Sequence, residues 1–593
     1  MTPDKKITLI QEQMAQYGID AYIVPTSDSH ASEYLPEFYK TREWASGFTG
    51  SAGTLVITRS KSALWTDGRY HIQAEGELKD TNIHLMKTGQ PSVPTIASWL
   101  ISELNDGFTI GFNGFQMMTG EVENLSSQMK ELTVTWDFTS NLIDKLWLDR
   151  PQKPCEKVYQ HSPAYAGDSA ITKIDRVRKT MLEAGANGHL ICKLDDIAWL
   201  LNLRGDDITH NPYFLSYLYV SEEDATLYIA PLKLNADIIE LLRNNRVNVK
   251  HYKDIIKDLD LLRSDSIVMI DKATTPYHLF TRMDANAKKV IHRRNPSTDF
   301  KAIKSDVELD HLKQCYIDDG AAVVNFLYWL EKTVPNGTLS EVDIDEKITA
   351  LRAEHPLYQS RSFSTIAAYK DHAAIMHYRA TPENSYIIEP KGLLLVDSGG
   401  QYHHGTTDIT RTVGVGPLTE QEKMDYTLTL KSMMALSRTR FLEGATGTHL
   451  DQAARQVMWA HDMDYKSGTG HGIGYFLGVH EGPHRVAMHL SDVALVPGMV
   501  LSNEPGVYRT GVSGVRLENI IYVVPHLENA FGRFFKFETL TMCPFDLNAI
   551  ELSMLTSEEK NQLNDYHKTV RAQLTPLLSS DVASWLAHAT REV

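Results

Sequence analysis

Five residues in the C-terminal half of the chain sit where their side chains demand a chemical explanation. They are Asp397 and Asp408 in "DSGGQYHHGTTDITRT", His471 in "SGTGHGIG", Glu504 in "SNEPGVY" and Glu518 in "VRLENII". Asp397 ends the apolar run "KGLLLV", and Glu518 is set among Leu517, Ile520, Ile521 and Val523. A carboxylate in such surroundings is expensive unless something positive meets it. A strand, a turn and a second strand would bring Asp397 and Asp408 side by side, where two ionised carboxylates either keep a proton or bind cations. Four acids and one imidazole form an oxygen-rich donor set that suits two hard or borderline divalent ions such as Mn²⁺, Co²⁺ or Zn²⁺. Two such ions sharing carboxylates acidify a water and polarise a carbonyl.

Each stretch taken alone has a plainer reading. Asp-Ser-Gly-Gly fits a turn, and Asp408 fits an Asx turn beside "GTT". Arg516 lies two residues before Glu518 on the same face of a strand and is its obvious ion-pair partner. "GTGHGIG" is rich enough in glycine for a phosphate loop, but it does not follow a strand and open a helix in a dinucleotide-binding unit. The metal reading rests on the five residues together.

Periodicity indicates the elements that must position them. "GMVLSNEPGVY" and "SGVRLENIIYVV" read as two strands, each with a glutamate among apolar neighbours. "LTEQEKMDYTLTLKSMMALSRTRF" opens with Thr419 and Glu422 in capping-box register, so a helix starts there. "DVELDHLKQCYIDDGAAVVNFLYWLEK" has helical spacing and opens a domain near residue 304. Upstream, "ITLIQEQMAQYGIDAYIV" and "ITKIDRVRKTMLEAGANGHLIC" both read as helix, glycine C-cap and short apolar strand, with Met14 to Gly18 and Met181 to Gly185 in the same spacing. Two α/β units of one build explain this repeat. The Asp-Gly of "WTDGRY" reads as a tight turn between strands, and the proline-bearing "LDRPQKPCEK" separates the units near residue 150. The expected domains are residues 1–150, 151–303 and 304–545, followed by a helical tail, 546–593, whose Trp585 and leucines need a surface to cover.

At 593 residues the chain is too long for a single core. Its 42% hydrophobic and 23% charged content is that of an ordinary soluble globular protein. A formal net charge of −16 repels phosphate backbones and anionic membranes, so no nucleic acid or membrane partner is expected. There is no apolar run of about 20 residues and no signal-peptide core, which points to a cytoplasmic protein. Cys155, Cys192, Cys315 and Cys543 lie far apart without a CxxC pair, as expected of free thiols in a reducing compartment.

The order Asp, Asp, His, Glu, Glu in these contexts closely resembles the pita-bread (M24) metallopeptidases, among them methionine aminopeptidase, prolidase and aminopeptidase P. "SEYLPEFYKTREWASGFTGSAGTLVIT", "WTDGRY", "DDIAWLLNLRGDDITHNPYFLSY" and "VHEGPH" look like the long, three-domain aminopeptidase P group, so the resemblance covers nearly the whole chain. It implies α/β and α+β architecture: two similar N-terminal α/β domains of the creatinase N-terminal kind, then a pita-bread metallopeptidase domain with a helical tail. It implies two divalent metal ions, Mn²⁺ foremost and Co²⁺ or Zn²⁺ as alternatives, held by Asp397, Asp408, His471, Glu504 and Glu518. The implied reaction is hydrolysis of the N-terminal Xaa-Pro bond by a hydroxide bridging the two metals, with Glu504 passing on the proton. His480 and His377, in "AAIMHYRA", match family histidines on the substrate side, and Arg516 completes the implied catalytic set.

The partners implied are peptides with proline in second position and a second copy of the chain in a homodimer. Because an Xaa-Pro bond has no amide hydrogen, recognition would fall to an apolar pocket shaped for the pyrrolidine ring. His372, His403, His404, His484 and His489 are expected to be solvated or to support the ligands. One departure stands out. Many members carry a histidine four residues before the metal histidine, where this chain has Ser467, whose hydroxyl can hydrogen-bond but cannot shuttle a proton near neutral pH. Two rivals remain: a prolidase-type Xaa-Pro dipeptidase, against which the domain count argues, and a catalytically inactive pita-bread binding protein, against which the complete set of five residues argues.

Overall fold

The structure is a computed structural model that describes every residue from Met1 to Val593. Its contacts divide it into two compact units, Met1–Thr298 and Asp299–Val593.

The first unit contains the repeat. Helix Pro3–Tyr17 ends at Gly18, whose φ of 71° is the left-handed value that favours glycine, and strand Ala21–Pro25 follows. Helix Ala170–Glu183 likewise runs through Gly185, at φ 77°, into strand Gly188–Ile191. Each strand is central in its own six-stranded sheet. One sheet runs Ile83–Lys87, Ser62–Thr66, Thr54–Thr58, Ala21–Pro25, Thr109–Phe112, Thr135–Asp137; the other runs Val247–His251, Ala225–Ile229, Ser216–Ser221, Gly188–Ile191, Ile267–Ile270, Lys289–His292. The parallel and antiparallel pairings agree strand for strand. In one respect the sequence reading is corrected: the Asp67-Gly68 turn leads from strand Ser62–Thr66 into helix His71–Glu77, not into another strand. Asp67 accepts a hydrogen bond from the backbone N–H of Arg69 and a bidentate pair from its guanidinium, an Asx turn that starts a helix.

In the second unit, helix Asp306–Thr333 begins at the Ser305/Glu308 capping box, and helix Glu420–Ser437 begins at Thr419, as its spacing predicts. Two antiparallel sheets carry the site. One is Ile366–Tyr369, Leu393–Ser398, Ile409–Gly414; the other is Arg440–Leu442, Gly532–Thr539, Asn519–Asn529, Val500–Asn503, Gly470–Gly472, Glu481–Val486. Leu394 and Val396 of the first pack in one core with Phe326, Leu327 and Leu330 of the long helix. Leu501, Ile521 and Val523 of the second pack with Leu436, Leu450 and Ala454. The tail helices Ser557–Leu574 and Ser580–Ala589 cover Val324 with Val570, Leu574, Val582 and Leu586, and the Trp585 indole donates to Glu331 at 2.7 Å.

The two long strands read from sequence are each broken at the glutamate. Val500–Asn503 stops before Glu504 and Gly506–Arg509 resumes after Pro505; Ser513–Arg516 stops before Glu518 and Asn519–Asn529 resumes after it. Pro505 has no N–H with which to continue a ladder. The N–H of Glu518 leaves its own sheet for the carbonyl of Thr410, 3.1 Å away. The breaks place both glutamates at strand ends, free to turn toward a common point. The four cysteines are free, and no helix is long and apolar enough to cross a membrane.

Candidate metal centre

Strand register brings the five residues together. Asn503 pairs with Asn519 on neighbouring antiparallel strands, so Glu504, one residue past the first, and Glu518, one before the second, emerge at the same end. His471 lies on the adjoining strand, its N–H donating to Ser502 Oγ at 2.9 Å, and Ser502 donates in turn to Glu504 Oε1 at 3.0 Å. In the other sheet Asp397 pairs with Thr410, and Asp408 precedes that same strand. Ligand atoms of Asp408, His471 and Glu518 lie within 4.8 Å of one another. His471 Nε2 is 3.2 Å from Glu504 Oε1 and 3.6 Å from Asp408 Oδ2.

Arg516 closes the fourth side. Its guanidinium donates to Asp397 Oδ2 at 2.5 Å, to the Tyr508 hydroxyl at 2.9 Å and to Thr410 Oγ1 at 3.2 Å, and Thr410 donates to Glu518 Oε2 at 2.9 Å. The Arg516–Glu518 ion pair suggested by sequence is therefore replaced by an Arg516–Asp397 pair, with Glu518 reached through a hydroxyl. The reason is the strand break, which takes Glu518 out of register with Arg516.

One guanidinium and one imidazole do not balance four carboxylates. Asp397 Oδ1 and Glu518 Oε1 are buried with no hydrogen-bond partner, an arrangement that burial makes costly unless a cation meets those oxygens. Burial, then repulsion from Asp397 and Glu504, pushes the Asp408 carboxyl well above its ordinary range. Glu518 is pushed well above its own range by burial and by Asp408, and Asp397 is raised by burial against the opposing pull of Arg516. For Glu504 burial also acts upward, but the His471 hydrogen bond and charge outweigh it and hold the carboxyl below its usual value. His471 Nδ1 donates to the Gly472 carbonyl at 2.9 Å, which turns Nε2 toward the acids. A ring fixed in this way presents its other nitrogen as a ligand. Acid oxygens without donors and an imidazole nitrogen aimed among them fit divalent cations.

The remaining predicted residues take different places. The His480 ring stands perpendicular to that of His471, with centroids 4.3 Å apart, at an exposed position beside the acids. His377 is half-buried in the segment after the short helix Lys370–Ala374. Two of the five supporting histidines are structural: His404 pairs with Asp318 at 3.0 Å, and His484, driven down to about 4 by burial, donates to the Val500 carbonyl. His372 contacts the buried Glu341 at 3.0 Å, the His403 ring meets Phe476, and His489 is exposed. Sequence reasoning missed Arg411. This buried guanidinium donates to the carbonyls of Thr410, Glu518, Cys543 and Pro544, and so ties both sheets at the point where Glu518 leaves its strand. Apart from Thr410, its partners Glu518, Cys543 and Pro544 lie more than a hundred residues away in sequence, and no local pattern announces them.

Gly470 has a specific role. A Cβ there would lie 1.9 Å from the Ser502 carbonyl oxygen, so the strands carrying His471 and approaching Glu504 touch backbone to backbone. Gly470→Ala should force them apart, with a destabilisation of about 1–3 kcal/mol in denaturant melts and a matching loss of bound metal. A stable variant with full metal content would show that the close approach is not needed.

Comparison with known proteins agrees with this layout. The family description "Metallopeptidase family M24" matches residues 310–525, and "C-terminal region of peptidase_M24" matches 533–593. "Creatinase/Prolidase N-terminal domain" matches twice, at 6–146 and 149–308. The "Probable Xaa-Pro aminopeptidase P" of Pyrenophora teres f. teres is 38% identical over 605 residues, covering 99% of this chain and 92% of its own. The crystal structure of X-prolyl aminopeptidase from Caenorhabditis elegans, described as a cytosolic enzyme with a di-nuclear active site, superposes with a TM-score of 0.95 at 31% identity over all of both chains. The Xaa-Pro dipeptidase from Bacillus anthracis, 24% identical with a TM-score of 0.51, shares the fold over 64% of this chain and 99% of its own. The chain belongs to metallopeptidase family M24, in the group of the Xaa-Pro aminopeptidase P proteins.

Proposed function

We propose that this chain removes the N-terminal residue from peptides with proline in second position, using two divalent metal ions, Mn²⁺ foremost, held by Asp397, Asp408, His471, Glu504 and Glu518. The carrying observation is the convergence of these five side chains, two of them with unpartnered buried oxygens, in a chain that aligns end to end with Xaa-Pro aminopeptidases. Ions bound there would supply the acidification of water and the positive charge that an attacked peptide carbonyl requires.

The protein's own groups divide the remaining work. Glu504 accepts a proton and returns it to the leaving proline nitrogen. His480, at the exposed rim beside His471, is placed to hold the peptide or relay that proton. Arg516 keeps Asp397 and, through Thr410, Glu518 aimed inward. Cytoplasmic location and a homodimeric assembly belong to the same reading, which involves neither nucleic acid nor membrane.

The test is selectivity. The Mn²⁺-loaded protein should hydrolyse a Xaa-Pro-Yaa tripeptide and leave the corresponding Xaa-Pro dipeptide intact. Cleavage of the dipeptide in preference would assign a prolidase instead, and no hydrolysis of either would assign a binding protein.

A further inference from the structure

Behind the site, helix Gly447–Trp459 carries Asp451 and Arg455 one turn apart. Both are buried, at 2% exposure each, and neither touches the acids or His471. Arg455 spends its guanidinium on the segment leading to His471: it donates to the carbonyls of Tyr465 and Ser467, both at 2.7 Å, to Asp464 at 2.9 Å and to Asp451 at 2.6 Å. The guanidinium also lies 4.0 Å from the Tyr465 ring centroid. The other oxygen of Asp451 accepts from the Thr469 hydroxyl at 2.5 Å, and that hydroxyl also meets the Tyr465 phenol.

Thr469 connects this network to the centre. Its carbonyl accepts the N–H of Glu504 at 2.8 Å, while its own N–H goes to Val486, and His471 follows two residues later. One side chain thus fixes two carbonyls of the approach segment, and a second fixes the residue to which Glu504 is anchored. An ion pair buried this completely often gains little net stability against a well-packed apolar substitute; what this one does supply is a fixed arrangement of the carbonyls it holds. The planar fork of arginine is suited to holding several carbonyls in one arrangement.

We propose that Arg455 and Asp451 are positioning residues for the part of the metal centre built by His471 and Glu504, and that they set its affinity for one ion of the pair. This rests on the proposed dinuclear centre and specifies which residues tune which half of it. Asp397 and Glu518 are held independently, by Arg516, Thr410 and Arg411, so the other ion should be insensitive to the network.

Calorimetric titration of the metal-free full-length protein with Mn²⁺ tests both statements separately. Arg455→Lys, Asp451→Asn and Thr469→Val are compared with Thr469→Ser, which keeps the hydroxyl. The wild type should show two binding events; in the first three variants one should weaken by about 10- to 100-fold while the other is unchanged, and Thr469→Ser should behave as wild type. Excess Mn²⁺ should then restore kcat with KM unaltered, which a general loss of structure would not allow. Should Arg455→Lys fail to fold, the nearly isosteric Asp451→Asn and Thr469→Val carry the test. Unchanged affinities, or equal weakening of both events, would overturn the inference while leaving the metal centre intact; a wild type that binds no Mn²⁺ would overturn the centre itself.

Discussion

Asp408→Ala should abolish both metal binding and peptide hydrolysis, while leaving the metal-free fold at least as stable as before. Asp408 has acids on several sides: its charge is opposed by Asp397 and Glu504, it raises the carboxyl of Glu518, and His471 Nε2 lies 3.6 Å from it. A carboxylate so placed can be shared between two cations, so its loss weakens both. If bound ions contribute several kcal/mol to the transition state, activity on Xaa-Pro-Yaa peptides should fall on the order of 10³-fold or more. The stability half of the prediction has the opposite sign from the usual buried substitution. Without metal, a buried like-charged carboxylate is a burden, and alanine relieves it. Elemental analysis, steady-state kinetics and thermal melts of the chelated proteins check the three parts. Retention of two ions by the variant, or activity within tenfold of wild type, would contradict the central role of this residue.

The fold was legible in the sequence where local signals and tertiary demands agree. The helix, glycine, strand phrase at Met14–Gly18 and Met181–Gly185 depends only on neighbours along the chain, and it recurs as two sheets of one topology. The Thr419/Glu422 capping box is equally local. The candidate site residues were visible for another reason: acids among strand-forming apolar residues are conspicuous because water cannot pay for them there. What sequence could not supply is how such charges are shared out. Arg516 looked like the partner of Glu518, two residues away, yet a strand break at Glu518 delivers the guanidinium to Asp397 instead. Asp451 and Arg455, an acid and a base one helical turn apart, have the spacing of any i, i+4 helical ion pair. Their burial beneath the His471 segment depends on residues 464–469 folding back over the helix, which no periodicity encodes.

The same unbalanced acids make the stability of the metal-free protein depend on pH in an unusual direction. In the folded, chelated protein the carboxyls of Asp397, Asp408 and Glu518 are raised above their unfolded values, which lie near 3.9 for Asp and 4.3 for Glu. The folded state therefore holds more protons than the unfolded one, and the contribution of these three groups, fully present below about pH 4, is lost as pH rises through their folded values. Glu504 works the other way: its lowered carboxyl contributes stability above about pH 4.3 that is lost as pH falls. Three groups against one make the site's net contribution decline as pH rises above about 4. Divalent ions replace those protons, so metal binding should release them and remove the decline. Saturation at about 1,000 times Kd adds about 4 kcal/mol, and the gain should be largest at the alkaline end, where the chelated site is most strained by its own charge. Thermal melts from about pH 5 to about pH 8, with EDTA or with Mn²⁺, should therefore diverge as pH rises. Every other titrating group in the chain is common to both series, so their difference isolates the centre. Parallel curves, or a gap that narrows with rising pH, would mean that these carboxylates are neutralised by something other than metal.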